Sequence, residues 1–204
     1  QGALFSCTKD AVRRSIDDGQ TWTTVLTFAT AVSGTANPLS GPYVCYKNGI
    51  PRLVVISLTT TLVLQYAYSD TGLASSWTEV TSLASQTSIL MPMVYRNTIV
   101  WKNGTVATTY QQLDPFALTV TTITGAAITS GYSVVWNDRM FFVTGTTSLI
   151  LTSIVSGVYT SVATIEAATA SYPVNQVAAW VDPATNKLIV VGRNSTAATW
   201  KAWE

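Results

Sequence analysis

The chain has 204 residues, 48% apolar and only 10% charged, and eleven basic residues against ten acidic ones leave a net charge of +1. That balance weighs against a nucleic-acid or anionic-membrane surface, which needs a basic patch. There is no histidine, which excludes a Ser-His-Asp triad, a histidine general base and histidine metal ligands.

Thr and Ser take the place of charge, with 33 and 19 copies. A chain of this length buries enough surface to fold without a metal or a disulfide. Cys7 and Cys45 lack zinc-ligand spacing, and both a 38-residue disulfide loop and two buried thiols fit them. The chain begins with Gln1, so a processed chain or a fragment of a longer one is expected. Low charge, high Thr and few cysteines point to an extracellular protein or one on a virion or other particle surface.

Helical periodicity is almost absent, and short β-rich runs alternate with Gly, Asn, Asp, Ser and Pro clusters. The first runs are Ala3 to Cys7, Ala11 to Ser15 and Trp22 to Phe28. Four segments then share one pattern: an apolar run, an aromatic, a polar turn and a second apolar run. The aromatics are Tyr46, Tyr95, Trp136 and Trp180, spaced 49, 41 and 44 residues apart. Third and fourth runs follow at Leu62 to Tyr68 and Trp77 to Leu83, then at Thr105 to Gln111 and Ala117 to Ile123, then at Leu149 to Val155 and Tyr159 to Ile165. The apolar stretch Leu53 to Ser69 is broken by Ser, Thr and Gln, so it reads as two strands and a turn, with no membrane insertion.

A period of about 40–50 residues with four strands each is that of a propeller blade. One such sheet has two apolar faces, and stacking it between neighbours buries both. The expected fold is therefore all-β: one β-propeller domain of five blades of mostly four antiparallel strands. The blades cover roughly 1–30, 42–83, 92–124, 132–166 and 176–204. The first lacks its inner strand and the last its outer one. Two β-sandwich domains are the alternative.

Ser15-Ile-Asp17-Asp-Gly19-Gln-Thr-Trp22 resembles the Asp-box, the S-x-D-x-G-x-T-W repeat of bacterial neuraminidases and other propellers. A weaker copy is Tyr68-Ser-Asp70-Thr-Gly72 with Trp77, which has Tyr68 in the Ser position. The third repeat, Gln111-Gln-Leu-Asp114-Pro, has lost the pattern. The resemblance implies a propeller whose boxes are rim turns away from the ligand face, and it implies no activity. Asp17 is expected to accept turn amides, Gly19 to supply positive φ and Trp22 to insert beside the next sheet.

The sialidases among these relatives use an arginine cluster, a Tyr–Glu pair and an acidic Asp. Here the arginines are Arg13, Arg14, Arg52, Arg96, Arg139 and Arg193. Topology puts first-to-second and third-to-fourth strand turns on one face and the remaining connections on the other, the ligand face. Only Arg193 reaches that face, so no cluster assembles and no catalytic residue is assigned. Glu166 and Tyr172 share one connection without an evident partner acid, and a sialidase-like glycoside hydrolase stands as the lesser alternative. There is no phosphate loop, nucleotide fingerprint or zinc spacing, so no cofactor or metal is expected.

The ligand face is neutral and rich in Ser, Thr, Asn and Gln, which suits glycan binding as well as a plain solvated surface. Candidates there are Lys102, Asn103, Tyr132, Tyr172, Asn175, Arg193 and Asn194. Asn103 and Asn194 also open glycosylation triplets, which arise often by chance in so Thr-rich a chain. Two functions fit: a lectin-like module binding a glycan or a protein surface, multivalent through repeated copies, and a structural component of a viral or extracellular assembly.

Overall fold

The computed structural model describes residues 2–33, 39–86, 88–104, 109–124, 132–145, 149–155, 158–166, 174–194 and 199–204. It forms two compact units, 1–104 with 113–120 and 105–112 with 121–204. Eighteen strands and one short 3-10 turn make up the described elements.

The first sheet has the order β1 (Leu4–Cys7), β2 (Ala11–Ser15), β3 (Thr23–Thr27). The second is β4 (Ser40–Lys47), β5 (Ile50–Leu58), β6 (Val63–Ser69), β7 (Thr78–Ser85), with the 3-10 turn Ala74–Ser76 between its last two strands. The third contains β8 (Ile89–Tyr95), β9 (Thr98–Asn103), β10 (Thr109–Asp114) and β11 (Thr119–Thr124). The fourth is β12 (Tyr132–Trp136), β13 (Arg139–Gly145), β14 (Leu149–Val155), β15 (Val158–Glu166). The fifth is β16 (Val174–Asp182), β17 (Lys187–Asn194), β18 (Trp200–Trp203). Among the described residues every sheet uses strands consecutive in the chain, and the first and last sheets have three strands.

Local chemistry sets the hairpins. Asn48-Gly49, Arg96-Asn97 and Asn137-Asp138 all sit at positive φ, the conformation of two-residue hairpin loops that suits Asn, Asp and Gly. These loops also tie sheets together within each unit. Asn97 Oδ1 accepts from the Tyr46 amide at 3.0 Å, and Asn186 Nδ2 donates to Asn137 Oδ1 at 3.0 Å.

The four marker aromatics are not fully equivalent. Tyr95 and Trp136 occupy the last pair before their loops, opposite Thr98 and Arg139. Tyr46 lies one pair back, because Lys47 takes the final place, and Trp180 lies two back from a longer loop.

The cores explain the continuous apolar runs. On β5, Val54, Ile56 and Leu58 join Leu64, Tyr66, Ile99, Trp101 and Leu113 in one cluster. Val55, pointing the other way, joins Val12, Leu26, Phe28 and Ala67. The second sheet is thus buried on both faces. Each such large apolar side chain contributes about 1.5–3 kcal/mol. In the second unit Phe141, Val143, Ala179, Leu188 and Val190 form a further core.

Cys7 and Cys45 are unbonded thiols. Burial pushes the Cys7 thiol up to about 12 and that of Cys45 to about 11.

Candidate functional site

The Ser15–Trp22 turn is a closed hydrogen-bond unit. Ser15 Oγ accepts from the Gly19 amide at 2.9 Å and donates to Asp17 Oδ1 at 2.7 Å. Asp17 takes the Thr21 amide at 2.9 Å and the Thr21 hydroxyl at 2.6 Å. The Thr21 hydroxyl, the Thr21 amide and Ser15 together hold the Asp17 carboxyl down to about 2. Gly19 has φ +89°. Trp22 differs from expectation: it is exposed and lies over its own turn, with Nε1 donating to the Gly19 carbonyl at 3.0 Å.

The second turn is built differently. Ser69, not Tyr68, accepts the turn amides of Thr71 and Gly72, at 3.2 and 2.7 Å. Asp70 is diverted to Arg52, which binds it from Nε and Nη2. Gly72, at φ +70°, still closes the turn. Here the tryptophan does insert, since Trp77 is half-buried against the cluster of Val12, Leu26 and Ala67. The third repeat keeps more than its sequence suggests: Asp114 Oδ1 caps the amides of Phe116 and Ala117 at 2.8 and 2.9 Å.

Arg52 is fully engaged. Its Nη1 donates to the Pro115 carbonyl at 2.8 Å, and its guanidinium lies 4.3 Å over Tyr68 and 4.7 Å over Phe116. It is a staple, with Nε, Nη1 and Nη2 each bonded within the fold.

At the opposite ends of these strands the first unit gathers its connections into one rim. Val32 bridges Thr59, the Ser33 amide donates to the Leu58 carbonyl at 2.8 Å, and the Thr60 amide to that of Ala31 at 3.2 Å. The Gln86 amide reaches the Leu62 carbonyl at 2.8 Å, and the Gly104 amide that of Ser88 at 3.2 Å. Thr59 Oγ1 caps the Val63 amide at 3.1 Å and meets Thr61 Oγ1 at 3.0 Å. Thr60 and Thr61 are exposed, and Thr30 through Ser33 and Thr59 through Val63 carry no charge.

Lys102 ends up beneath the surface. It is fully buried on β9, its Nζ has no hydrogen-bond partner, and burial lowers its pKa. Asn103 ends the same strand, half-buried opposite Ile89. In the second unit Tyr132 opens β12 and is exposed. Val174 pairs with Asn194 and Gln176 with Arg193, so Asn175 is the extra residue of a β-bulge facing them. Arg193 is half-buried. These three residues therefore share one strand end. Tyr172 lies outside the described residues.

The same bulge recurs on β4 between Ser40 and Tyr43 and on β8 between Leu90 and Met93. Periodicity alone did not reveal these bulges, although Pro42 and Pro92 sit inside them and mark positions where a ladder amide is dispensable. Among the described residues no cluster of three metal-ligating side chains occurs, and no helix is long and apolar enough to cross a membrane.

No protein-family model matches the chain, and no curated protein is similar to it in sequence. Solved structures resemble it. A triple arginine-to-alanine mutant of AofleA from Arthrobotrys oligospora, a β-propeller, is 14% identical with a TM-score of 0.57, over 99% of this chain and 67% of that one. The chain thus spans about two thirds of that relative's length, and at this identity the likeness is one of fold alone. SapL1 lectin in complex with alpha methyl fucoside is 13% identical, with a TM-score of 0.49 over 99% of this chain and 72% of its own. A Trypanosoma rangeli sialidase mutant displaying trans-sialidase activity is 13% identical, with a TM-score of 0.46 over 93% of this chain and 40% of its own.

Proposed function

We propose that this chain is a non-catalytic, glycan-binding β-propeller module that works outside the cell or on a particle surface. The observation that carries the reading is the uncharged rim around Thr59–Val63. It is held rigid by backbone hydrogen bonds, and it presents the Thr60 and Thr61 side chains without a charged group that would demand a charged ligand. Rigid, pre-organised polar groups suit sugar hydroxyls, because little ordering entropy is lost on binding.

Five sheets of chain-consecutive strands support five blades, and the fold likeness to AofleA supports a propeller. Sandwiches usually exchange strands between sheets through Greek-key connections, and none occurs among the described strands. The Ser15–Trp22 turn acts as an Asp-box staple and carries no ligand. The reading as a non-enzyme is supported by Arg52, whose Nε, Nη1 and Nη2 are each bonded to Asp70 or Pro115 within the fold.

Single-site affinity is expected in the millimolar to micromolar range, about 4–8 kcal/mol, with avidity from repeated copies. A glycan array on the 204-residue chain, read beside its mass in solution, tests the proposal. Binding that falls in a Thr60→Ala/Thr61→Ala double variant supports it. Turnover of a fluorogenic sialoside by the purified chain overturns the non-catalytic part.

A further inference from the structure

A second site lies at the other end of β3. A cavity of about 250 Å³ opens between the first sheet and the 3-10 turn of the second, lined by Arg14, Thr21, Thr23, Val25, Ile16 and Leu73, with Ala74 beside them. Its chemistry is unlike that of the hydroxyl rim.

Arg14 is the anomaly. Strand alternation puts it on the same face of β2 as Val12, the face that joins Val55 and Ala67 of the second sheet in a core. An apolar residue is expected there. Instead a guanidinium stands at the edge of that core, with its Nε buried and without a hydrogen-bond partner. A buried donor in this state calls for an acceptor. The carboxylate nearest in sequence does not supply one, since Asp17 is closed onto Ser15 and Thr21.

A bulge shapes the wall. Val12 pairs with Leu26 and Arg13 with Thr24, so Val25 is the extra residue, and it lines the cavity. Bulges of this kind re-aim side chains at functional sites. The remaining lining divides by chemistry. Ile16, Val25 and Leu73 are aliphatic, Thr21 and Thr23 bring hydroxyls, and there is no aromatic ring on which a sugar could stack.

We propose that this cavity binds a short aliphatic carboxylate, its two oxygens on the Arg14 fork and its branched tail against Ile16, Val25 and Leu73. The planar fork matches a carboxylate in two parallel hydrogen bonds. At about 30 Å³ per water-sized group, the cavity holds roughly eight non-hydrogen atoms, the size of a branched five- or six-carbon acid. A free acid and the carboxyl end of a peptide finishing in Leu share this chemistry.

The test is an amide-resolved NMR titration of the 204-residue chain with 4-methylpentanoate and, in parallel, with its neutral amide. The acid is expected to give saturable shifts centred on Arg14, Val25 and Leu73, and the amide to bind at least about tenfold more weakly. Arg14→Met should weaken the acid about tenfold or more with no fall in melting temperature. If Arg14→Met does not fold, Arg14→Lys keeps the charge and loses the fork, and it should weaken binding several-fold. Acetyl-Ala-Ala-Leu with a free or an amidated end distinguishes the sources: competition by the free-ended peptide assigns the site to chain ends, and its absence assigns the site to small acids. Equal binding of acid and amide, unchanged affinity in the Arg14 variants, or no saturable shift up to about 20 mM would overturn the proposal. Glycan binding at the Thr59–Val63 rim is unaffected by these variants, so the two sites stand or fall separately.

Discussion

Arg52 holds Asp70 through both carboxylate oxygens, Nε to Oδ1 at 2.7 Å and Nη2 to Oδ2 at 2.9 Å. The pair lowers the pKa of Asp70 and raises that of Arg52, in each case chiefly through the hydrogen bonds between them. The same guanidinium reaches Pro115, so one residue joins the second sheet to the segment after β10. Arg52→Met should therefore destabilise the chain by about 1–3 kcal/mol, through the lost carbonyl contact and ring stacking as much as the lost ion pair. Asp70→Asn should cost less, because the carboxylate is partly exposed. Urea unfolding of the two variants checks the order, and an Asp70→Asn loss larger than that of Arg52→Met would contradict it.

The first turn makes stability depend on acid. The Asp17 carboxyl ionises at about 2 in the folded chain and near 3.8 when unfolded. Its contribution is complete above the unfolded value and is lost as pH falls from about 4 towards 2. Asp17→Ala should lower the melting temperature by about 2–4 °C at pH 7. The gap between variant and parent should narrow from about pH 4 and close near pH 2. Thermal melts across pH 2–7 measure both, and a gap that persists at the acid end would refute the hydrogen-bond account.

Two glycines separate backbone strain from crowding. A Cβ on Gly72 would stand 2.5 Å from Phe5 Cζ and 2.8 Å from Leu53 Cδ1, at φ +70°. Gly72→Ala is expected to cost about 2–4 kcal/mol. At Gly49, φ is +79° and nothing lies within 4 Å. Gly49→Ala should cost only about 1 kcal/mol. Equal losses in chemical denaturation would show that packing at Gly72 plays no part.

The thiols should be inert in the folded state. With Cys7 at about 12 and Cys45 at about 11, little thiolate exists at neutral pH. Thiol reagents should label neither until the chain unfolds, and reductant should leave the melting temperature unchanged. Rapid native labelling would contradict the burial of Cys45.

The fold was legible because its signals are local and repeated. Alternating runs bounded by Asn-Gly and Asn-Asp loops place most strands within one or two residues, and Val54 through Ile56 read as a run buried on both faces before any contact is known. The turn at Asp17 was legible because all its partners lie within four residues. Asp70 was not, because Arg52 sits 18 residues away and competes for the same carboxylate. Lys102 was misjudged because periodicity gives the face of a strand and not what covers it. Arg14 could have been singled out, since alternation from Val12 already places a cation on the core side.

The central claim is that the Thr59–Val63 end of the chain binds neutral glycan and that the Asp17 turn does not. The most direct measurement is glycan affinity of the purified chain beside its Thr60→Ala/Thr61→Ala and Asp17→Ala variants, each with its melting temperature. The account predicts about tenfold or greater loss of affinity with unchanged melting for the threonine variant. For Asp17→Ala it predicts lower melting with unchanged affinity. Loss of affinity in Asp17→Ala alone, with no change in melting, would contradict it.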